Sequence, residues 1–154
     1  MRNDTTISNN VHIIPIEMKL SDNFYLQEFQ RSETAIRFDI QEQFRPLPSH
    51  IINNLNDLVK EVLQPLRVEF QAPMHINSGY RSEALNSHPR IRGSSNSDHL
   101  RGQAADIVCR DPQKLYTLAM AMNLPFKQLI LYKNRNFVHI SFDRQDIRRQ
   151  NWIQ

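Results

Sequence analysis

From Ser49 onward, apolar residues return at helical spacing: Ile51, Ile52, Leu55, Leu58, Val59, Val62 and Leu63, up to Pro65. That spacing predicts one amphipathic helix at the back of the core, with Ser49 as its N-cap and Pro65 as its stop. Upstream, Phe24, Tyr25, Leu26 and Phe29, then Ala35 and Ile36, predict one or two short helices with an apolar side. Downstream the period drops to two in places. "MHINS", residues 74–78, reads as a short strand, and Gly79-Tyr80 turns the chain. Ser82 to Ser87 predicts a short helix broken by Pro89, and "RIRGSSNS", residues 90–97, is a loop. Ala104 to Cys109 reads as a strand, and Asp111-Pro112 caps a helix carrying Leu115, Leu118, Ala119 and Met122 that ends near Asn123-Leu124-Pro125. "QLILY" at 128–132 and "FVHISF" at 137–142 flank Lys133-Asn134-Arg135-Asn136, the pattern of a β-hairpin. Helices first, then a small, largely antiparallel sheet with helices packed against it, give an α+β fold. Residues 1–19, polar with short apolar patches, are expected to form an arm, leaving 20–154 as a single domain.

The same period assigns side chains to faces. Ala104, Asp106 and Val108 share one face of their strand, and Phe137, His139 and Ser141 lie opposite the stripe Val138, Ile140 and Phe142. A carboxylate opening an otherwise apolar strand is costly to bury unless a cation pairs with it. Two neutral imidazoles and a carboxylate around Zn²⁺ meet that need and leave a position for water, as in hydrolytic zinc sites. On that reading His99 and Asp106 form half of a site and His139 completes it; otherwise Asp106 caps a turn and His139 is a core histidine. The glycines bear on the choice. The chain has three, Gly79, Gly93 and Gly102, where average usage predicts roughly eleven. Gly102 stands where the chain must bend sharply for His99 and Asp106 to meet one ion.

Composition narrows the classes of function. A chain of 154 residues buries enough apolar surface to fold without disulfides or a structural metal. The net charge of +3 and pI near 9.2 suit anionic partners, but the cations are scattered and no basic stripe interleaves with aromatics, so nucleic-acid binding is not expected. The single cysteine, Cys109, reads as a small core residue and cannot make an intramolecular disulfide. No apolar run nears the ~18 residues of a membrane span, so no membrane insertion is expected. "MRNDTTISNNVHIIPIEMKL" does not resemble a secretory signal. The expectation is a protein made in the cytoplasm that acts after lysis, through another export route, or within a virion. Nothing in the composition bears on oligomeric state.

At "SDHLRGQAAD" the sequence resembles the zinc D-alanyl-D-alanine carboxypeptidase family, peptidoglycan peptidases related in fold to the hedgehog signalling domain. Ser97, His99, Gly102, Ala104 and Asp106 meet the family motif SxHxxGxAxD in full, "FVHIS" matches the strand with the last histidine, and "INSGYRS" at 76–82 followed by Asn86 is similar to the family's SGYRS segment. "LSDNFYLQEFQRSETAIR" and the helix ending in "VLQPLR" resemble the branch common in bacteriophages and bacteria. The resemblance implies that His99, Asp106 and His139 bind zinc, that Arg81 binds substrate or steadies an oxyanion as the catalytic arginine, and that Tyr80 and Ser97 line the substrate pocket. It implies hydrolysis of a peptide bond in peptidoglycan stem peptides, as a D-Ala-D-Ala carboxypeptidase or an endolysin-type endopeptidase, with phage-encoded enzymes among its kind. One feature departs from the family pattern. Many relatives carry a glutamate or histidine three to seven residues before the last zinc histidine, whereas residues 132–138 here read Tyr-Lys-Asn-Arg-Asn-Phe-Val. The base then comes from Asp98, Glu83, His75 or His88, or Tyr132 assists, or the chain is a weak or inactive zinc-binding module for the wall or the virion.

Overall fold

The core is built on one long helical run, and its course differs from the sequence expectation at both ends. In the computed structural model, which describes residues 17–154, helix α3 (Ser49–Leu58) passes through a π turn (Val59–Leu63) into α4 (Gln64–Phe70) without a break in direction. Pro65 therefore does not stop the helix. It sits in the first turn of α4, where its missing N–H costs least, and the wider π turn shifts the backbone that its ring would otherwise strike. Ser49 is not the N-cap either: it is the first helical residue, and Pro48 holds the cap position with no side-chain bond. The run ends at Gln71 in a left-handed conformation, φ 54°.

Two short helices precede it as expected, α1 (Leu26–Gln30) and α2 (Glu33–Arg37). Phe24 and Phe29 are fully buried, whereas Ile36 is exposed, so the apolar side of α2 is limited to Ala35. The expected arm falls mainly on residues 1–16, which lie outside the described residues.

The rest of the chain builds the sheet. Strand β1 (His75–Ser78) is followed by α5 (Glu83–Ser87), whose N-cap Ser82 accepts from the Leu85 amide. A loop and a 3-10 turn (Asp98–Arg101) lead into β2 (Ala104–Val108). Helix α6 (Pro112–Ala121) starts at Asp111, whose side chain accepts from the Lys114 amide. The hairpin follows: β3 (Gln128–Tyr132), a 3-10 turn (Lys133–Arg135) and β4 (Phe137–Ser141). A fifth strand, β5 (Gln150–Ile153), has no counterpart in the sequence reading. It is short and exposed along its length, and it forms because the open edge of β3 offers backbone partners, with the Gln154 amide donating to the Leu131 carbonyl at 2.8 Å.

The strand order is β1-β2-β4-β3-β5, antiparallel except between β3 and β5. One face packs on the helical run: Ala105 and Ile107 of β2 and Val138 and Ile140 of β4 are fully buried in one cluster with Leu55, Leu58, Val62 and Leu66. Cys109 is buried in the same cluster, as a core residue. Period-two alternation therefore sends Asp106 and His139 to the opposite face. Among the described residues no helix is long and apolar enough to cross a membrane.

Gly102 ties the loop to the core. It is left-handed, φ 67°, and a Cβ there would lie 3.0 Å from both the Ile51 side chain and the Ile51 carbonyl. Gly102→Ala is expected to cost about 1–3 kcal/mol through backbone strain and crowding against α3. Urea unfolding of the two proteins measures it, with an unchanged midpoint as the contrary result.

Candidate metal centre

Cross-strand register creates the site. Ser78 of β1 pairs with Asp106 of β2, Asp106 with His139 of β4, and His139 with Ile130 of β3, so one row across the open face holds a hydroxyl, a carboxylate and an imidazole. A bulge between Ile76 and Ser78 brings Ser78 into that row. His99 enters from the 3-10 turn before β2, and its ring meets that of His139 edge-on, with centroids 5.3 Å apart. His99, Asp106 and His139 each offer one ligand atom, all within 4.8 Å of one another.

The hydrogen bonds define what these atoms present. His99 Nδ1 lies 2.6 Å from the Gly79 carbonyl, which can only accept, so Nδ1 carries the proton. Burial pushes the His99 imidazole below its ordinary pKa, with Asp106 opposing, and its other ring nitrogen, Nε2, points to the carboxylate. That nitrogen faces Asp106 Oδ1 at 3.4 Å, and His139 Nδ1 approaches the same oxygen at 2.8 Å. Burial pushes the Asp106 carboxyl up, but the two histidines outweigh it and hold the group well below the usual carboxylate range. Two imidazole nitrogens thus converge on one carboxylate oxygen in a buried setting. A shared cation fits that arrangement, and two imidazole nitrogens with a carboxylate oxygen are a donor set suited to zinc.

Arg81 fixes the carboxylate from the other side. Its Nη2 donates to Asp106 Oδ2 at 2.9 Å and its Nε to Ser78 Oγ at 2.9 Å, leaving Oδ1 directed at the histidines. The turn carrying Arg81 is held in turn by Gln43, which is fully buried although polar. Gln43 Nε2 donates to the Gln30 and Tyr80 carbonyls, each at 2.9 Å, and its Oε1 accepts from the Ser82 amide at 2.8 Å. The Arg81 amide donates to the His99 carbonyl at 3.0 Å, joining the two loops that supply the centre. Sequence reasoning missed Gln43. A glutamine in a polar 3-10 stretch carries no periodic signal, and only its burial reveals the role.

The remaining candidates fall elsewhere. The metal pocket is lined by His99, Asp106 and His139 with Arg81, Tyr132, Arg135, Phe137 and residues 90–93. Ser97 caps the 3-10 turn, its Oγ accepting from the His99 amide at 3.3 Å, and Tyr80 packs against the core; neither side chain lines the pocket. Asp98 is buried in an ion cluster with Lys127 and Arg101, Glu83 faces a separate groove, His75 lies on the outer strand β1, and His88 packs against Phe38 at a tilt. Of the seven residues from 132 to 138, Tyr132, Arg135 and Phe137 reach the pocket.

An α+β domain that gathers two imidazoles and a carboxylate on the open face of its sheet, backed by an arginine, defines a metal-dependent hydrolase type. The sequence profile of the family described as Peptidase M15 matches residues 22–141, and the chain belongs to that family, zinc-dependent metallopeptidases of the D-Ala-D-Ala carboxypeptidase type that act in general on peptidoglycan. No curated protein matches the chain.

Because Arg81 orients Asp106, Arg81→Ala is expected to weaken zinc binding by about tenfold to a hundredfold. Arg81→Lys is not expected to restore it, since one ammonium cannot span Ser78 and Asp106 as the guanidinium does. Competition with a chromophoric chelator reads both variants, and wild-type affinity in Arg81→Ala would contradict the assignment.

Proposed function

We propose that this chain is a zinc-dependent peptidase that hydrolyses a peptide bond in bacterial peptidoglycan stem peptides, as a D-Ala-D-Ala carboxypeptidase or an endolysin-type endopeptidase. The observation that carries the reading is the convergence of His99 Nε2 and His139 Nδ1 on Asp106 Oδ1, at 3.4 Å and 2.8 Å. His99, Asp106 and His139 hold the metal. Bound there, zinc supplies Lewis acidity toward a scissile carbonyl and lowers the pKa of water toward ~7. Arg81 keeps one Asp106 oxygen occupied so that the other stays turned to the metal position. Tyr80 and Ser97 act on the substrate pocket through the turns they hold. The protein reaches the wall after lysis, by another export route or in a virion, and residues 20–154 form one domain.

Tyr132, seven residues before His139, lines the metal pocket and bears a proton. Burial pushes its phenol above its ordinary pKa, with Asp106 adding to the shift. It therefore stays protonated at neutral pH and serves as a hydrogen-bond donor to a developing oxyanion or a leaving amine, not as a base. Apart from the three metal-site residues, the lining of the pocket includes neither carboxylate nor imidazole. That observation favours a second reading, a zinc-binding wall or virion module of the same fold with weak or no turnover.

Purified peptidoglycan separates the two. The first reading predicts new amino groups released by the zinc-loaded chain, stopped by a chelator and absent in His139→Ala. No zinc-dependent release on any wall type would defeat it. Tyr132→Glu places a carboxylate where relatives carry one and is expected to raise turnover by about tenfold or more. Turnover appearing in Tyr132→Glu and absent from the wild type would establish the second reading.

A further inference from the structure

The walls of the metal pocket carry more positive charge than holding Asp106 requires. Arg81, Arg90, Arg92 and Arg135 all line it, and Asp106 is the one carboxylate among its lining residues. The adjoining groove adds Glu33, which is already paired with Arg31 at 3.2 Å. Arg81 is committed to Asp106 and Ser78, and Arg92 Nε donates to the Pro89 carbonyl at 3.0 Å. Arg135 and Arg90 differ. Among the described residues their guanidinium groups make ring contacts but no hydrogen bond or ion pair.

Those ring contacts hold Arg135 in place. Tyr132 and Phe137 close the hairpin as a cross-strand pair and stack with centroids 4.5 Å apart and planes 17° apart. The Arg135 guanidinium lies 5.0 Å from the Phe137 centroid and 5.9 Å from that of Tyr132, and Asn136, left-handed at φ 56°, turns the chain back into β4. Stacking restrains the side chain and leaves its N–H edge free for a planar anion. Arg90 comes from another element, the loop after α5, and lies 5.8 Å from the Phe38 centroid. That loop is also fixed: the Gly93 amide donates to the Asn86 carbonyl at 2.8 Å, Asn86 Nδ2 donates to the Ser94 carbonyl at 2.9 Å, and a Cβ on Gly93 would clash with the Asn86 side chain.

We propose that Arg135, assisted by Arg90, binds a substrate carboxylate lying outside the scissile bond, so that the pocket selects anionic peptides. The proposal rests on the peptidase reading for its class of substrate. Two free uncommitted guanidinium groups beside a metal position leave the mouth short of negative charge, and a carboxylate supplies it with bidentate geometry. In a stem peptide that carboxylate is either the C-terminal one or one on a side chain.

The test uses the zinc-loaded full chain and four versions of one stem pentapeptide ending in D-Ala-D-Ala: all carboxylates free, all amidated, only the C-terminus amidated, and only the side-chain carboxylates amidated. KM and kcat are read where there is turnover, and a calorimetric Kd where there is none. The free-acid peptide is expected to bind about tenfold or more tightly than the fully amidated one. Arg135→Gln should abolish that preference with zinc affinity kept. Arg110→Gln, the same charge change at an exposed arginine over Phe70, should preserve it. The singly amidated peptides identify which carboxylate is bound. Equal affinity for acid and amide, no binding of either, a preference that survives Arg135→Gln, or an equal loss in Arg110→Gln would each overturn the proposal. Hydrolysis is scored separately. Preference without cleavage defeats the peptidase reading alone, and cleavage of acid and amide alike defeats this proposal alone.

Discussion

The structure turns on one buried carboxylate with more partners than it has protons to accept. Asp106 Oδ1 faces two histidine nitrogens and Oδ2 takes the Arg81 guanidinium, in a place where an unpaired charge would cost several kcal/mol. Everything local serves that arrangement. The β2–β4 register sets Asp106 opposite His139, the Gly102 bend returns His99 over the strand, and the Gly79 carbonyl decides which His99 nitrogen is left bare. The long helical run matters to the site mainly as the surface against which the other face of the sheet is packed, which leaves the row Ser78, Asp106 and His139 on the face away from the helices.

Around this centre the supporting bonds run in a short circuit. Gln43 holds the turn 80–82, that turn presents Arg81, the Arg81 amide binds the His99 carbonyl, and His99 Nδ1 returns to Gly79 in the same turn. Loosening any member would shift His99 and Arg81 together. A polar glutamine in the core is thereby explained, since its three hydrogen bonds satisfy the amide fully enough to offset its burial.

What could be read from the sequence was what depends on local pattern. Period-two alternation placed Asp106 and His139 on the non-core face, "DP" marked the start of α6, and two apolar runs around Lys133-Asn134-Arg135-Asn136 marked the hairpin. The motif around His99, together with "FVHIS", marked His99, Asp106 and His139 as candidate ligands, and the fold brings the three within 4.8 Å of one another. The failures come from a local backbone adjustment in one case and from long-range contacts in the others. Pro65 reads as a stop because a proline's local cost is known while the π turn that absorbs it is not, and β5 exists only because β3 leaves an edge unpaired. Likewise the grip of Arg81 on Asp106 spans 25 positions in the chain, and Gln43 lies 37 from Tyr80, so neither link has a sequence spacing to betray it. Ser97 and Tyr80 stand inside recognisable motifs, yet the Ser97 side chain caps a turn, that of Tyr80 packs against the core, and neither lines the pocket.

The central claim is that His99, Asp106 and His139 form one zinc centre, and X-ray absorption at the zinc edge of the loaded chain tests it most directly. The account predicts one zinc per chain with two imidazole nitrogens and a carboxylate oxygen at ~2.0–2.2 Å, and one imidazole fewer in His139→Ala. A loaded chain with no stoichiometric zinc, or with a coordination shell unchanged in His139→Ala, would contradict it.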